Sequence, residues 1–183
     1  MKILKNFFCP AVAIAYLIAG GCGQIWTEEN IGDFNVIHNG EGQTLAYSPS
    51  SGVKILTVNR LAFKDLNRNG KLDPYEDWRL PVNERAADLV SQMSVEQIAG
   101  LMLYSSHQSI PSGGSGFGRP GTYGGVPFSE SGAKPGDISD QQKQFLTEDN
   151  LRHVLITSVD SPEVAADWNN NVQAFVEGIG LGI

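Results

Sequence analysis

The chain has 183 residues, of which 41% are hydrophobic and 18% are charged, and its formal net charge is −7. This composition allows a packed core, and it excludes a wholly disordered chain, a coiled coil and a polytopic membrane protein. The length also excludes a complete (β/α)8 barrel, which needs about 250 residues. Because the acidic balance comes without a cluster of Lys or Arg, we expect no nucleic-acid partner.

The first 21 residues have the pattern of a secretory signal. A basic start with Lys2 and Lys5 precedes an apolar run over residues 7–19, which is too short to span a bilayer as a helix. Small residues stand directly before Cys22, as in a bacterial lipobox, so we predict a signal peptide over residues 1–21 and lipidation of Cys22. This predicts an exported protein, either an outer-membrane lipoprotein or periplasmic. Ordinary cleavage after small residues, or a plain buried cysteine, is the alternative.

Three segments follow the predicted signal. Residues 22–43 are polar and are expected to form a tether. Two β-rich runs at residues 44–47 and 53–58 flank the turn-forming sequence Ser-Pro-Ser-Ser-Gly, so together they predict a β-hairpin. From Pro81 the apolar residues recur at helical spacing, and a capping-box pattern at Ser94 predicts a new helix start.

Residues 112–136 hold nine glycines and three prolines, which predicts a long loop. Glycines at positions 116, 118 and 121 formally match the dinucleotide fingerprint, but no strand is predicted before them and Pro120 lies inside the pattern. A flexible surface loop near a binding cleft is the favoured interpretation.

The last part of the chain predicts a βαβ unit. An apolar run at residues 153–157 predicts a strand, and Ser161 followed by Pro162 is a strong helix start that Gly178 is placed to end. A further strand is expected from Leu181. Such a unit implies a parallel sheet, so the fold class is predicted to be α/β.

The most specific motif lies at residues 65–76 and matches D-x-[DN]-x-[DN]-G-x5-E at every fixed position. This is the loop of an EF-hand, in which six to eight oxygen atoms surround Ca2+ and a glycine allows the sharp turn. Gly70 occupies the glycine position. The predicted ligands are Asp65, Asn67, Asn69, the backbone carbonyl of Lys71, Asp73 and Glu76.

Two features depart from a helix-loop-helix hand. The residues before the loop are strand-like, and Asp77 stands where an apolar residue usually begins the exit helix. We therefore expect a single, structural calcium site, with modest affinity because only three of its ligands are carboxylates. An Asx-rich turn that binds no metal is the alternative.

Three runs of residues, 77–102, 145–153 and 168–173, resemble glycoside hydrolase family 3, especially its β-glucosidase-like lipoprotein members in Bacteroidetes. The resemblance covers roughly residues 60–183. Residues 44–80 carry the predicted hairpin and EF-hand-like loop, and the resemblance implies that residues 81–183 begin the N-terminal (β/α)8 barrel of the family. Gln97 departs from the family pattern, which usually has Lys there.

The resemblance implies a retaining, exo-acting β-glycosidase that removes terminal non-reducing glucosyl or xylosyl residues from an oligosaccharide or β-glucoside. Retention requires two carboxyl groups about 5–5.5 Å apart. In the family these groups come later than Ile183, so no catalytic residue can be assigned, and we expect a fragment that is inactive alone. The alternative is a calcium-binding surface lipoprotein that binds glycan or protein without catalysis.

Overall fold

The computed structural model describes residues 24–113 and 120–183. The predicted signal over residues 1–21, Cys22 and two glycines of the fingerprint-like pattern lie outside the described residues. None of the helices in the described ranges combines the length and the hydropathy that a membrane span requires.

The N-terminal sheet is an antiparallel meander of three strands, β1 (Trp26–Ile31), β2 (Phe34–Asn39) and β3 (Thr44–Tyr47). The predicted tether is therefore wrong for most of its length. Its polar composition concealed the strands because polar side chains pair across them: Glu28 Oε1 accepts hydrogen bonds from Asn35 Nδ2 at 2.7 Å and from Tyr47 Oη at 2.6 Å. A two-residue turn with Gly32 at φ 66° joins β1 to β2.

Strands β4 (Lys54–Val58) and β5 (Leu61–Asp65) form a second antiparallel sheet. The predicted hairpin between residues 44–47 and 53–58 is wrong, because β3 pairs with β2 and β4 pairs with β5. The intervening Pro49–Ser51 forms a 3-10 turn, whereas Asn59 and Arg60, at φ 51° and 71°, make the tight turn of the true hairpin.

Strand β5 lies in the core, where Ala62 and Phe63 are fully buried. It is joined to the N-terminal sheet by Asn39, whose Oδ1 accepts a hydrogen bond from Ala62 N at 2.7 Å and whose Nδ2 donates to Ala62 O at 3.2 Å. The ring of Trp78 stacks on Phe63 with 5.1 Å between centroids. These contacts fix the strand that leads into the Asp/Asn-rich loop.

Two helices follow that loop, α1 (Val82–Gln92) and α2 (Val95–Leu101), as the periodicity predicts. The capping box at the start of α2 is confirmed: Ser94 Oγ accepts a hydrogen bond from Gln97 N, and Gln97 Oε1 accepts one from Ser94 N. The apolar face of α1 is not covered in this chain, since no α1 residue is buried and Val82 is 78% exposed.

The predicted glycine-rich loop contains short regular elements. They are β7 (Thr122–Tyr123), β8 (Val126–Pro127) and α3 (Phe128–Ser131), and β6 (Gln108–Ile110) precedes them. Asp140 holds the turn between β7 and β8 because its carboxylate accepts hydrogen bonds from Gly124 N at 3.0 Å and Gly125 N at 2.8 Å.

The last elements are α4 (Asp140–Thr147), β9 (Ile156–Val159) and α5 (Pro162–Glu177). Helix α5 begins at the predicted N-cap, with Ser161 Oγ accepting a hydrogen bond from Val164 N. Strand β9 does lie in a parallel pair, but its partner is β6 and not the predicted strand from Leu181. Residues 181–183 form no strand, so the expected strand partner is wrong.

Candidate functional site

The six predicted calcium ligands lie on one loop between β5 and α1. Asp65 is the last residue of β5 and is 1% exposed, and Glu76 closes the loop at 5% exposed. Asn67 and Asp73 are half-buried, while Asn69 and Lys71 are exposed at the loop's outer edge. Both end residues of the motif are therefore acids held inside the protein.

The carboxylate of Asp65 faces the interior of the loop. Its Oδ2 accepts a hydrogen bond from the backbone N–H of Gly70 at 3.1 Å, which spans the loop from its first position to its sixth. Gly70 has a φ of 76°, a conformation that a side chain at this position would strain. The glycine predicted from the motif is thus required by the observed backbone.

Glu76 closes the loop from the other end. Its Oε1 accepts hydrogen bonds from Leu66 N at 2.7 Å and Asn67 N at 3.3 Å, and its Oε2 accepts one from Asp73 N at 3.1 Å. Burial raises the pKa of the Glu76 carboxyl, and the three backbone N–H donors oppose that shift by stabilising the anion.

The two asparagines and Asp73 complete the ring of side chains. Asp73 Oδ2 accepts hydrogen bonds from Asn67 Nδ2 at 2.5 Å and from Asn69 Nδ2 at 2.7 Å. The amide oxygens accept from the backbone two residues onward, Asn67 Oδ1 from Asn69 N and Asn69 Oδ1 from Lys71 N. The structure therefore brings the predicted side-chain ligands together.

One oxygen of this ring has no partner. Asp65 Oδ1 is buried and accepts no hydrogen bond, although a buried carboxylate oxygen ordinarily has at least one donor. Leaving such an atom unpaired is costly in free energy. A cation held in the loop would satisfy it.

Within the described ranges, no three His, Cys, Asp or Glu side chains are placed as a metal-binding group. The three carboxylates of the loop, on Asp65, Asp73 and Glu76, are instead turned partly towards N–H donors of the loop itself. The motif's other donors are amide and carbonyl oxygens. An all-oxygen donor set of this kind suits a hard cation such as Ca2+ and does not suit zinc.

The sequence motif did not reveal the residues that hold the loop in place. Tyr75 lies inside the motif and is buried; its N–H donates to Asp88 Oδ2 at 3.2 Å, and its hydroxyl donates to Leu181 O at 3.1 Å. Burial, and then the nearby Glu76 carboxylate, raise the pKa of Tyr75 far above its usual value. The aromatic position before Glu76 was the only sequence signal for this role.

A groove of about 820 Å³ lies elsewhere, between the turns of the N-terminal sheet, the glycine-rich segment and α5. Phe34, Tyr123 and Phe175 contribute its aromatic wall, and Asp137 and Lys143 are charged residues along it. None of the predicted ligands lines this groove. The sequence predicted a cleft near the glycine-rich loop but named no residue of it.

Comparison with known proteins identifies a similar glycosidase. No family model matches the chain. The chain is similar to a protein of Dickeya chrysanthemi described as a periplasmic beta-glucosidase/beta-xylosidase, with 42% identity over 132 residues. The aligned part is 72% of this chain and 18% of that protein, so the chain spans less than a fifth of the relative's length.

Proposed function

We propose that this chain is the N-terminal part of a β-glycosidase of glycoside hydrolase family 3. The observation that carries the proposal is the 42% identity with the beta-glucosidase/beta-xylosidase of Dickeya chrysanthemi over 132 residues. Identity at this level over most of the chain supports a common fold and reaction class. The proposed reaction is the retaining hydrolysis of terminal, non-reducing β-D-glucosyl or β-D-xylosyl residues.

The fold is compatible with the start of a (β/α)8 barrel, which remains part of the proposal. Strands β6 and β9 are parallel, and α5 follows β9 directly. Parallel sheets are normally covered on both faces and rarely stop at two strands. Exposed apolar residues on and near this pair, Tyr104 at 73% and Val159 at 40%, support further strands and helices packing here in the whole protein.

The catalytic carboxylates are proposed to belong to the part of the protein that corresponds to the rest of the relative. The test compares this chain with a version continued to the relative's length, using 4-nitrophenyl β-D-glucoside and β-D-xyloside. We expect hydrolysis only by the longer protein, with the β-anomer as the first product seen by NMR. Hydrolysis by the 183-residue chain would contradict this assignment. A longer protein that binds glycan but cleaves neither substrate would favour the non-catalytic alternative.

We further propose that the protein is exported and anchored through a lipid on Cys22. The relative is described as periplasmic, which supports export to that compartment. In cells fed radiolabelled palmitate, the wild-type protein should become labelled and the Cys22→Ser variant should not. Equal labelling of both would refute lipidation of this cysteine.

A second proposal concerns the loop at residues 65–76, which we assign as a structural Ca2+ site. The unpartnered, buried Oδ1 of Asp65 carries this proposal, because a cation is the missing partner that the motif predicts. Asp65, Asp73 and Glu76 would supply the charge, and Asn67, Asn69 and the Lys71 carbonyl would supply neutral oxygens. Bound Ca2+ would neutralise the buried carboxylates and hold the loop.

Calorimetric titration and thermal unfolding test the site. At calcium concentrations 100-fold above the dissociation constant, binding stabilises the folded chain by about 2.7 kcal/mol. For a domain of this size that raises the Tm by roughly 5–10 °C relative to a sample in EGTA. The Asp65→Asn and Glu76→Gln variants should lose the binding heat, whereas Glu41→Gln, at an exposed position in the N-terminal part, should keep it. No binding heat in the wild type would refute the site.

A further inference from the structure

The proposed calcium loop, residues 65–76, contacts the end of α5 and the residues after it. These contacts join residues more than a hundred positions apart in the chain. Arg68 Nη2 donates to Glu177 O at 3.3 Å, and Tyr75 Oη donates to Leu181 O at 3.1 Å. Gly182 packs so closely on the loop that an added Cβ would lie 2.8 Å from Leu66 Cβ. Three residues of the loop thus hold one short segment, residues 177–182.

The strand before the loop reinforces this attachment. Lys64 of β5 forms an ion pair with Glu177, whose side chain is 3% exposed. Gln173 Nε2 donates to the same Glu177 oxygen at 2.7 Å. The last turn of α5 is therefore fixed to β5 on one side and to the loop on the other.

The loop also holds the start of the helical part. Asp88 of α1 accepts the N–H of Tyr75, and Arg85 Nε donates to Tyr75 O at 3.2 Å. Tyr75 consequently makes polar contacts with both α1 and Leu181. Its backbone makes the contacts with α1 and its hydroxyl makes the contact with Leu181, although Tyr75 is not among the six predicted ligands.

We propose that Ca2+ binding to the loop fixes residues 177–182 against the hairpin formed by β4 and β5, so that the loop is a calcium-dependent clamp. This inference rests on the calcium site proposed above. Leu66, Arg68 and Tyr75 lie between ligand positions, so a cation that fixes the ligands also fixes these three side chains. Without the cation, the negative charges of Asp65, Asp73 and Glu76 oppose one another, and the clamp loosens.

The coupling is reciprocal. If Ca2+ strengthens docking of the segment, then docking must strengthen Ca2+ binding by the same factor, so a variant that weakens docking should also bind Ca2+ more weakly. Tyr75→Phe keeps the buried ring and all six ligands while removing the hydroxyl that donates to Leu181. Tyr104→Phe is the matched control, because Tyr104 is 73% exposed and makes no side-chain hydrogen bond in the described structure.

Hydrogen exchange followed by mass spectrometry, with and without Ca2+, tests the clamp on the whole chain. We expect Ca2+ to slow exchange about fivefold or more in peptides covering both the loop and residues 177–183. In Tyr75→Phe the loop should still respond to Ca2+, while the response of the later peptide decreases and Ca2+ affinity falls. Tyr104→Phe should behave as wild type.

The outcomes separate this inference from the site on which it rests. Calorimetric binding with protection confined to the loop would overturn the clamp and leave the calcium site standing. Unchanged Ca2+ affinity and unchanged protection at residues 177–183 in Tyr75→Phe would also overturn it. No binding heat in the wild type would refute the calcium site itself, and the clamp with it.

Discussion

Replacing Lys64 with Met should strongly destabilise the chain, because it leaves the buried carboxylate of Glu177 without its charge partner. Glu177 is 2% exposed, and its Oε2 already has no hydrogen-bond donor. After the substitution only Gln173 Nε2 would donate to this carboxylate. Met has nearly the length and volume of the lysine stem, so packing is preserved and the change mainly removes the charge.

Breaking one side of a buried ion pair typically costs about 3–5 kcal/mol. The Lys64 side chain is 17% exposed, so water partly screens the pair. The expected loss of unfolding free energy is therefore at the low end, about 3 kcal/mol. For a domain of this size that corresponds to a decrease in Tm of roughly 6–12 °C. The double variant Lys64→Met with Glu177→Met removes both charges and should recover to within about 1 kcal/mol of wild type.

Urea unfolding followed by circular dichroism measures these differences, with calcium held constant. The control is Lys134→Met, which makes the same substitution at an exposed lysine in the glycine-rich segment and should change stability by less than about 0.5 kcal/mol. A double variant that is less stable than either single variant would refute the reasoning. It would mean that lost packing, and not the unpaired carboxylate of Glu177, causes the loss of stability.

Three further predictions concern other parts of the chain. Gly100→Ala should lower stability by about 1–3 kcal/mol in the same urea assay, because the added Cβ would lie 2.4 Å from the Asn150 carbonyl oxygen; a more stable variant would show that the backbone can move away. Trp168→Phe removes the indole N–H that donates to the fully buried Gln142 at 3.1 Å, and should cost about 2 kcal/mol; no change in the midpoint would contradict the role of this bond. Backbone N–H groups lower the pKa of the Asp140 carboxyl, so its stabilising effect is complete above about pH 5 and is lost as the pH falls through the lowered value. The difference in Tm between wild type and Asp140→Asn should accordingly vanish at low pH, and a constant difference would refute it.

The helices with strong local signals could be predicted from the sequence. Helix α5 begins after the predicted Ser161 N-cap with Pro162 in its first turn, and α2 begins with the predicted capping box. These elements depend on hydrogen bonds between residues three or four positions apart. Such bonds involve only neighbouring residues, so the local sequence indicates where these helices begin.

The sheets could be predicted only in part. The two predicted runs do form strands, β3 and β4, but each pairs with a different neighbour from the one expected. Strands β1 and β2 were missed because β1 is mostly polar and adjacent Val36 and Ile37 interrupt the alternation in β2. The polar side chains of both strands pair with each other across the sheet. Strand pairing depends on contacts between distant residues, which local propensity does not contain.

The candidate calcium loop also has some features that the sequence predicts and others that only the tertiary structure shows. Its ligand types, their spacing and the need for Gly70 follow from the sequence, because the motif is a local winding of twelve residues. Only the tertiary structure decided that Asp65 is buried with an unpartnered oxygen and that Tyr75 contacts Leu181. Burial and contacts between distant residues arise when separate elements pack together, so no local pattern can specify them.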